Sequence, residues 1–538
     1  MTFAEESESR RKMTRAAGVN SFFTTLSRIF GLVRDMLMAN YFGTGFCCSA
    51  FVTAFTLPNL LRRLFGEGAL ASVFVPQFAQ VMQDKGKEEA YKCASLTLSW
   101  LAVILTSITI IVAAAALGTV PFLDFSPKWK LTALLIAVMM PYCVFICLTA
   151  LCGAMLNTLG HFSMPALAPV FLNVCIITTV WLGAFFCQRG SQAHIFFAAV
   201  GVLLGGLAQL ALQIPELWKR GYRFSFGLSL DHPFVKKIVT VMMPAVLGTG
   251  VAQINIMVDR YLANSVNERG AAVLYNADRL VEFPLGIFGV ALAVAALPVL
   301  SFAHARGDKD HFKDALGFSL RHSSFVMIPA MCGLMILGEP IIKLLLEHGE
   351  FTAESTSYTA RALFYYTLGL PGFAIVKILV PAFYAAKDTK TPVIIGLAMM
   401  ILNLTLNLIL MHFMEERGLA LATAISTYIN ITLLLFFLRK KCGPLGLTGV
   451  SLSFLKTIIS SLLMSLAIFG TLKLLNSHLP QHETFLAKFL VVVIPIMTGL
   501  LVYALCALIL KQDEWKELFK AYFRGAKKAK TNNKTENK

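Results

Sequence analysis

The stretch LPNLLRRLFGEGALASVFVPQFA, residues 57–79, has a counterpart in FPLGIFGVALAVAALPVLSFA, residues 283–303. In both stretches an early proline is followed by a Phe-Gly pair, an alanine-rich run and a second proline shortly before a Phe-Ala pair. Each is apolar enough to cross a bilayer, which takes about 20 such residues in a helix. We interpret the two stretches as copies of one membrane-spanning helix.

A second pair of similar segments supports an internal repeat. AMLNTLGHFSMPALAPVFLNVCII, residues 154–177, and AFYAAKDTKTPVIIGLAMMILNLTLN, residues 382–407, each contain a polar hairpin, a proline and then an asparagine. Both pairs of segments are related by a shift of about six predicted helices. Because an even shift preserves orientation, the two halves would be related by an axis along the membrane normal, as in some secondary transporters.

The composition is too apolar for a soluble globular protein of this size. Of 538 residues, 57% are hydrophobic and 14% are charged, and the mean hydropathy is +0.70. Apolar stretches of spanning length recur along the chain and number about fourteen. The predicted fold class is an all-α polytopic membrane protein with two six-helix lobes in a pseudo-two-fold repeat and two extra C-terminal helices.

The basic residues lie mainly in alternate gaps between the apolar stretches, which accounts for the formal charge of +17. Gaps such as DKGKEEAYK, HARGDKDHFKD and LRKK alternate with weakly charged gaps such as YFGTGFCC and NSHLPQHE. This bias predicts that both termini are cytoplasmic and that the number of spans is even. It also favours contact with membrane lipids over nucleic acid. We predict no removable signal peptide.

The predicted segments follow from this topology. They are a cytoplasmic N-terminal segment (1–16), an N-lobe with helices 1–6 (17–218), a cytoplasmic linker (219–235), a C-lobe with helices 7–12 (236–438), helices 13–14 (449–510) and a basic cytoplasmic tail (511–538).

Catalytic and metal-binding patterns are weak in this sequence. The eleven cysteines form no CxxC pair and have no histidine at metal-ligand spacing, so we predict no metal site and no disulfide framework. The histidines are scattered, and no phosphate-cradling Gly-rich loop of the P-loop type is found. An enzyme acting on polyprenyl phosphates, which is the alternative from another functional class, would need an acid/base or metal-binding carboxylate set.

Charged side chains inside the apolar stretches are the candidate functional residues, because charge near the bilayer centre is costly and usually faces a cavity. Arg28 and Asp35 share a helical face, and Arg34 lies about a third of a turn away. Arg63 and Glu67 can pair, which leaves Arg62 without an obvious local partner, while Arg279 can pair with Asp278 or Glu282. Structural ion pairing is the alternative interpretation. Guanidinium groups in excess of carboxylates instead favour an anionic ligand with a phosphate group.

Several of these stretches resemble the signature motifs of a known family. SRIFGLVRD, LPNLLRRLFGEGALASVFVP, LNTLGHFSMPALAP, ADRLVEFPLGIFGVALA and KDTKTPV are similar to those of the bacterial lipid II flippases, the MurJ or MviN family. The resemblance implies the fold of the multidrug/oligosaccharidyl-lipid/polysaccharide exporter superfamily, with a central cavity. It also implies transport of lipid II, the undecaprenyl-pyrophosphate-linked peptidoglycan precursor, to the outer face of the inner membrane by alternating access.

The resemblance also assigns roles to individual residues. By position, Arg28, Arg34, Arg62 and Arg279 match the substrate-binding cavity arginines, and Asp35, Glu67, Asp278 and Glu282 are the cavity acids. Helices 13 and 14 are expected to hold the lipid tail, with Ser461 and Gly470 as small positions suited to lining the groove. Ser49 stands where many members have an acidic residue, so that charge is not carried over.

The resemblance further suggests a candidate ion site and additional partners. Asp259, Asn403, Asn407 and Thr423 lie in helices that supply sodium ligands in some members, which implies coupling to sodium or protons with no other cofactor. Asn403 and Asn407 could equally satisfy interhelical hydrogen bonds. Cell wall synthesis proteins are the expected protein partners. A drug exporter or polysaccharide-lipid flippase of the same superfamily is the alternative transporter, although a drug-cation cavity should be acidic.

Overall fold

The computed structural model describes residues 3–123, 126–229, 232–478 and 484–517. All regular secondary structure in these ranges is helical, which confirms the predicted all-α fold. The physical reason is that hydrocarbon offers no hydrogen-bond partners, so each membrane-spanning segment must satisfy its own backbone N–H and C=O groups. The chain divides into two compact units, Met1–Val273 with Leu346–Ser355, and Leu274–Leu345 with Thr356–Lys538.

The first unit contains nine long helices. They are α1 (Phe3–Phe42), α2 (Phe46–Leu61), α3 (Ala69–Lys85), α4 (Lys87–Thr119), α5 (Pro127–Met139), α6 (Tyr142–Thr158), α7 (Ser163–Phe186), α8 (Gln192–Lys219) and α9 (Pro233–Val266). Helix α7 packs between α1 and α8, while α2 packs against α5 and α9. The lobe boundaries drawn from the repeat stay a prediction.

The remaining helices belong wholly or mainly to the second unit. They are α10 (Gly270–Pro284), α11 (Val290–Ala305), α12 (Lys309–Leu345), α13 (Ala353–Leu368), α14 (Leu370–Ala385), α15 (Lys390–Met414), α16 (Glu416–Cys442), α17 (Thr448–His478) and α18 (Phe485–Ile509). A buried core of apolar side chains from α11, α12, α14 and α16 holds this unit together. Helices α17 and α18 pack against each other and against α12.

The helices have the lengths that membrane crossing requires. Among the described residues, ten continuous helical segments are long and apolar enough to span, and the pair α13–α14, bent by 41°, makes an eleventh if counted as one span. Three further long segments contain α1, α2 with α3, and α9, and they carry many of the predicted intramembrane charges. Together these segments agree with the predicted count of about fourteen, which the hydropathy of the helices does not by itself confirm.

The two copies of the repeated helix share an unusual backbone feature. A π-helical turn, Arg62–Gly68, joins α2 to α3, and a second one, Leu285–Gly289, joins α10 to α11. Each turn contains the Phe-Gly pair that the sequence repeat identified. Since π-turns are rare, their presence at matching positions supports the repeat.

The two repeated hairpins also end their helices in the same way. In the first hairpin, Gly160 has φ of +78°, and the His161 amide donates to the carbonyl of Leu156 over 2.8 Å. In the second, Lys387 has φ of +55°, and the Asp388 amide donates to the carbonyl of Phe383 over 2.9 Å. Both are left-handed helix C-caps, so the hairpins share a backbone geometry although their residues differ.

A close backbone contact fixes the end of α1 within the first unit. The Glu350 amide donates to the Asn40 carbonyl over 2.9 Å, and the Thr44 and Ser355 hydroxyls lie 2.8 Å apart. Gly43 sits in this contact with φ of +55°, and a methyl group on its Cα would overlap the Glu350 carbonyl oxygen. Glycine is therefore required here both by conformation and by space.

We expect Gly43→Ala to lower the thermal stability of the purified protein. The left-handed conformation costs an L-residue about 1–2 kcal/mol, and the overlap with Glu350 adds to that cost. Gly160→Ala is the matched control, because Gly160 has φ of +78° at a left-handed helix C-cap but nothing within 4 Å of an added methyl group. A melting temperature for Gly43→Ala equal to that of Gly160→Ala would show that the contact with Glu350 is unimportant.

Candidate functional site

Arg34 is held in a buried polar cluster within the first unit. Its guanidinium donates to Asp35 Oδ1 through Nε over 3.0 Å and through Nη2 over 2.6 Å, and Nη1 donates to Asn173 Oδ1 over 3.0 Å. The Arg34 and Asp35 side chains are 11% and 13% exposed. Asn173 also donates to the Ser27 carbonyl over 3.2 Å, which ties α7 to α1. The cluster therefore combines an ion pair within α1 with hydrogen bonds that join α1 to α7.

The sequence argument placed Arg28 and Asp35 on one helical face and did not predict which arginine pairs with Asp35. Asp35 forms an ion pair with the adjacent Arg34, because the long arginine side chain can bend back to its neighbour. Arg28 is exposed, and no hydrogen bond or ion pair to it is found among the described residues. Arg28 and Arg34 of α1 therefore differ in their surroundings: Arg34 is bound within a polar cluster, whereas Arg28 is accessible.

The arginines of the first π-turn also make contacts within their own unit. Arg62 Nε donates to Asn59 Oδ1 over 2.8 Å, so the expectation that Arg62 has no local partner is wrong. The amide of Asn59, three residues earlier, supplies the acceptor. Arg63 donates to Gln253 Oε1 of α9 over 3.4 Å. Both arginines are partly exposed, and the predicted partner of Arg63, the side chain of Glu67, lies outside the described residues.

Arg279 lies on α10, where its side chain is exposed and contacts residues of the same helix. Its Nη1 donates to Glu282 over 3.2 Å, which confirms the predicted i,i+3 pairing. Its Nε and Nη2 donate to the Tyr275 hydroxyl over 3.2 and 3.0 Å, and the guanidinium lies 5.1 Å from the centre of the Tyr275 ring. The side chains of Arg279 and Glu282 are 43% and 44% exposed. Asp278, also on α10, is partly buried.

The residues of the candidate ion site belong to both units. In the second unit, Asn403 donates to the hydroxyls of Thr423 and Ser426 over 3.5 and 3.3 Å, and Asn407 donates to Asn403 Oδ1 over 3.0 Å. This network links α15 to α16, as the interhelical hydrogen-bond interpretation predicts. In the first unit, Asp259 is buried and accepts from Asn255 over 3.4 Å. A role in ion binding stays a prediction.

Ser49 has a structural role that sequence reasoning missed. Its side chain is fully buried, and its hydroxyl accepts a hydrogen bond over 3.3 Å from the Ala272 amide in the first turn of α10. The first amides of a helix lack intrahelical acceptors, so the hydroxyl satisfies one of them. An acid at this position would face the same helix N-terminus. The only available signal was a small polar residue within an apolar run.

The KDTKTPV motif forms a helix cap. Asp388 accepts from the amides of Lys390 and Thr391 over 3.1 and 3.0 Å and lies 3.0 Å from Lys441. The hydrogen bond from the Thr391 amide, assisted by Lys441, lowers the pKa of Asp388 to about 2. The carboxylate therefore stays ionised at neutral pH and stabilises the start of α15.

A cavity of about 240 Å³ lies between α12, α17 and α18 of the second unit. Its lining combines apolar side chains with the charged or polar groups of Glu339, Lys343, Asn476 and Lys488. The two small positions proposed for a groove differ in environment. Ser461 is fully buried, whereas Gly470 is exposed and has open space beside its Cα. Of the two, Gly470 has the exposure that a groove position requires.

Comparisons with known proteins agree on one family. The sequence model of the family described as lipid II flippase MurJ matches residues 38–503. A probable lipid II flippase MurJ of Vibrio cholerae serotype O1 is 37% identical over 436 residues, with 79% of this chain and 82% of the relative covered. The lipid II flippase MurJ of Burkholderia cenocepacia is 35% identical over 439 residues, covering 79% and 84%.

Solved structures support the same conclusion. A lipid II flippase MurJ in an inward closed conformation matches with a TM-score of 0.71 and 29% identity, covering 93% of this chain and 99% of that one. An inward-facing multidrug resistance MATE family transporter of the MOP superfamily matches with a TM-score of 0.63. Its identity is 15%, with 78% of this chain and 96% of that one covered, so it shows the fold alone. By sequence over most of its length, the chain belongs to the lipid II flippase MurJ family.

Proposed function

We propose that this chain moves lipid II across the membrane, with arginine side chains binding the pyrophosphate that links the polyprenyl tail to the sugar-peptide head. The chain is a multi-pass membrane protein of a transporter family and is not an enzyme. The observation that carries the proposal is the exposure of Arg28 on α1 and of Arg279 on the apolar helical segment Gly270–Ala305. Exposed guanidinium groups in such helices are costly unless they serve a polar ligand or a water-filled space.

The chemistry of the ligand explains why arginine is used. Moving a pyrophosphate through hydrocarbon would remove the hydration of its negative charges, at a high cost in free energy. A guanidinium group replaces that hydration with two parallel hydrogen bonds in a fixed geometry, which an ammonium group cannot reproduce. Arginines in each unit would therefore lower the barrier for the head group.

The arginines divide into two groups by their contacts. Arg28 and Arg279 are exposed and would bind the phosphate oxygens directly. Arg34 is buried against Asp35 and Asn173, so we propose that it supports α1 and α7 and contributes positive charge. Arg62, partly exposed beside Asn59, would contact the ligand near the first π-turn.

We further propose that the polyprenyl tail stays outside the polar path. Each methylene transferred from an apolar to a polar surrounding costs about 0.8 kcal/mol, so a long tail favours an apolar surface. The exposed side chains of α17 and α18 include many leucines and phenylalanines. The cavity between α12, α17 and α18 is lined in part by Lys343 and Lys488. These helices, which lie outside the sequence repeat, are the proposed tail-binding region.

The repeat itself supports alternating access, in which repeat-related halves move relative to each other.

We propose that the protein resides in the inner membrane with both termini in the cytoplasm. The asymmetric distribution of lysine and arginine supports this orientation. Cell wall synthesis proteins, which would use the transported precursor, are the proposed protein partners.

Alanine substitution of the exposed arginines should slow transport without unfolding the protein. For Arg28→Ala and Arg279→Ala we expect the initial rate of lipid II flipping in reconstituted vesicles to fall by about 10- to 100-fold, since a hydrogen bond to a charged group contributes about 1.5–3 kcal/mol. Arg279→Lys should restore little of the rate because it keeps the charge but loses the planar fork. The assay follows the accessibility of labelled lipid II head groups over time.

Arg306→Ala is the matched control for Arg279→Ala. Arg306 is also exposed and stacks on an aromatic ring, Phe302, at 4.5 Å, but it lies at the end of α11 in a predicted cytoplasmic gap. Its substitution should leave flipping unchanged.

Arg34→Ala should lower both flipping and the melting temperature, because it leaves the Asp35 carboxylate buried without its ion pair to Arg34. Normal flipping by Arg28→Ala and Arg279→Ala would overturn the proposed phosphate contacts.

Cysteine labelling should test the proposed orientation. Cysteines introduced at Asn267 or His478 should react with a membrane-impermeant maleimide added to intact cells, and those at Lys309 or Lys528 should react only after permeabilisation. The eleven native cysteines are free but buried or half-buried, so the unmodified chain supplies the baseline. External labelling at Lys528 would contradict a cytoplasmic C-terminus.

Replacement of Asp259 should test the proposed ion coupling. If its buried carboxylate contributes to a sodium or proton site, Asp259→Asn should reduce flipping and weaken its dependence on the imposed ion gradient. The experiment compares sodium and choline media at several external pH values. Wild-type transport that is independent of sodium and pH, and that survives Asp259→Asn, would exclude the site.

A further inference from the structure

Three potential metal ligands of different chemical types meet in the first unit, where α4 begins. The Glu89 carboxylate, the Cys93 thiol and the His232 imidazole place ligand atoms that all lie within 4.8 Å of one another. In the part of the chain that the structure describes, no second group of three such side chains occurs. None of the three belongs to the residues proposed to bind lipid II.

Local structure aims two of the ligands at the same point. Helix α4 starts after Gly86, and Glu89 and Cys93 follow with the i,i+4 spacing that places side chains on one helical face. Cys93 is 1% exposed, whereas the Glu89 side chain is 33% exposed. The thiol is therefore shielded while the carboxylate borders solvent.

The segment before α9 brings the third ligand to this face. The Tyr222 hydroxyl lies 3.0 Å from Ser95 Oγ, which also accepts from the Ser225 amide over 3.4 Å. The Gly227 amide donates to Ser99 Oγ over 3.2 Å. These contacts fasten the extended segment along α4. His232 then precedes α9 and lies with Nε2 at 3.7 Å from Glu89 Oε1.

We propose that Glu89, Cys93 and His232 bind one Zn²⁺ ion. A thiolate, an imidazole and a carboxylate form a ligand set that zinc accepts, and three protein ligands leave a fourth position for water. Zinc lies about 2.0–2.3 Å from such ligands, so tetrahedral ligand atoms are roughly 3.3–3.8 Å apart. The Glu89–His232 separation of 3.7 Å falls in this range, and the remaining ligand atoms lie within 4.8 Å of one another. The thiolate and carboxylate together balance the charge of a divalent ion.

The imidazole has a second contact that changes when the metal binds. His232 Nδ1 accepts from the Phe234 amide over 3.3 Å and thus caps α9. Coordination of the metal through Nε2 places the ring proton on Nδ1, which can then no longer accept a hydrogen bond from the Phe234 amide. The long capping hydrogen bond is therefore lost when the metal binds. Zinc would thereby join the first turn of α4 to the start of α9, across the segment that separates α8 from α9.

Cobalt binding to the full-length purified protein tests the site directly. The wild-type protein, kept reduced by a phosphine and carrying no polyhistidine tag, should bind one Co²⁺ ion. The complex should show a thiolate-to-cobalt absorption band, and added Zn²⁺ should remove that band by displacing the cobalt. Cys93→Ser should abolish the band. Glu89→Gln and His232→Asn should weaken Zn²⁺ binding by at least about tenfold, and asparagine keeps an N-cap acceptor so that α9 remains capped.

Matched controls separate the site from general metal affinity. Glu88→Gln alters the exposed neighbour of Glu89, and Cys152→Ser alters another buried helical cysteine in the same unit, so both should bind like the wild type. Mg²⁺ should not compete, since it prefers oxygen ligands and octahedral geometry. A wild-type protein without the thiolate band, or a band that persists in Cys93→Ser, would overturn the proposal. These readouts do not depend on flipping activity.

Discussion

The structure depends on one constraint, the absence of hydrogen-bond partners in hydrocarbon. Helices satisfy the backbone, but charged side chains must find partners within the protein or face a polar space. Arg34 meets this requirement with Asp35 and Asn173, and that cluster also joins α1 to α7. In the same way, the Ser49 hydroxyl accepts a hydrogen bond from the Ala272 amide at the start of α10. Polar groups thus act as specific links between helices whose apolar surfaces alone would pack less selectively.

The two copies of the internal repeat share the same local backbone features. Each copy of the repeated helix contains a π-turn at its Phe-Gly pair, and each repeated hairpin closes with a left-handed C-cap. The asparagines that follow, Asn173 and Asn403, both hydrogen-bond to a neighbouring helix, although to different partners. Backbone geometry is therefore retained between the copies, while side-chain chemistry has diverged. That divergence allows arginines to occur in one π-turn and not in the other.

Accessibility separates arginines that build the fold from arginines that can meet a substrate. The buried ion pair of Arg34 would be expensive to break, since removing one partner of such a pair costs about 3–5 kcal/mol. Arg28 and Arg279 are exposed, so a phosphate can reach their guanidinium groups. The Tyr275 ring and hydroxyl hold the Arg279 guanidinium in place, which reduces the entropy lost when a ligand binds. Positioning and accessibility are combined in that one side chain.

The sequence alone determined the membrane class, the helical fold, the repeat and the family, because hydropathy and long motifs are continuous along the chain. It also identified which charges lie in apolar segments and predicted the Arg279–Glu282 pair, whose members are close on one helix. Only the tertiary structure decided which arginine Asp35 joins, that Ser49 caps α10, and that His232 lies beside Glu89 and Cys93. The physical reason is that helix periodicity fixes contacts within a turn or two. Contacts between helices depend instead on packing and on how side chains bend, which no spacing in the sequence records.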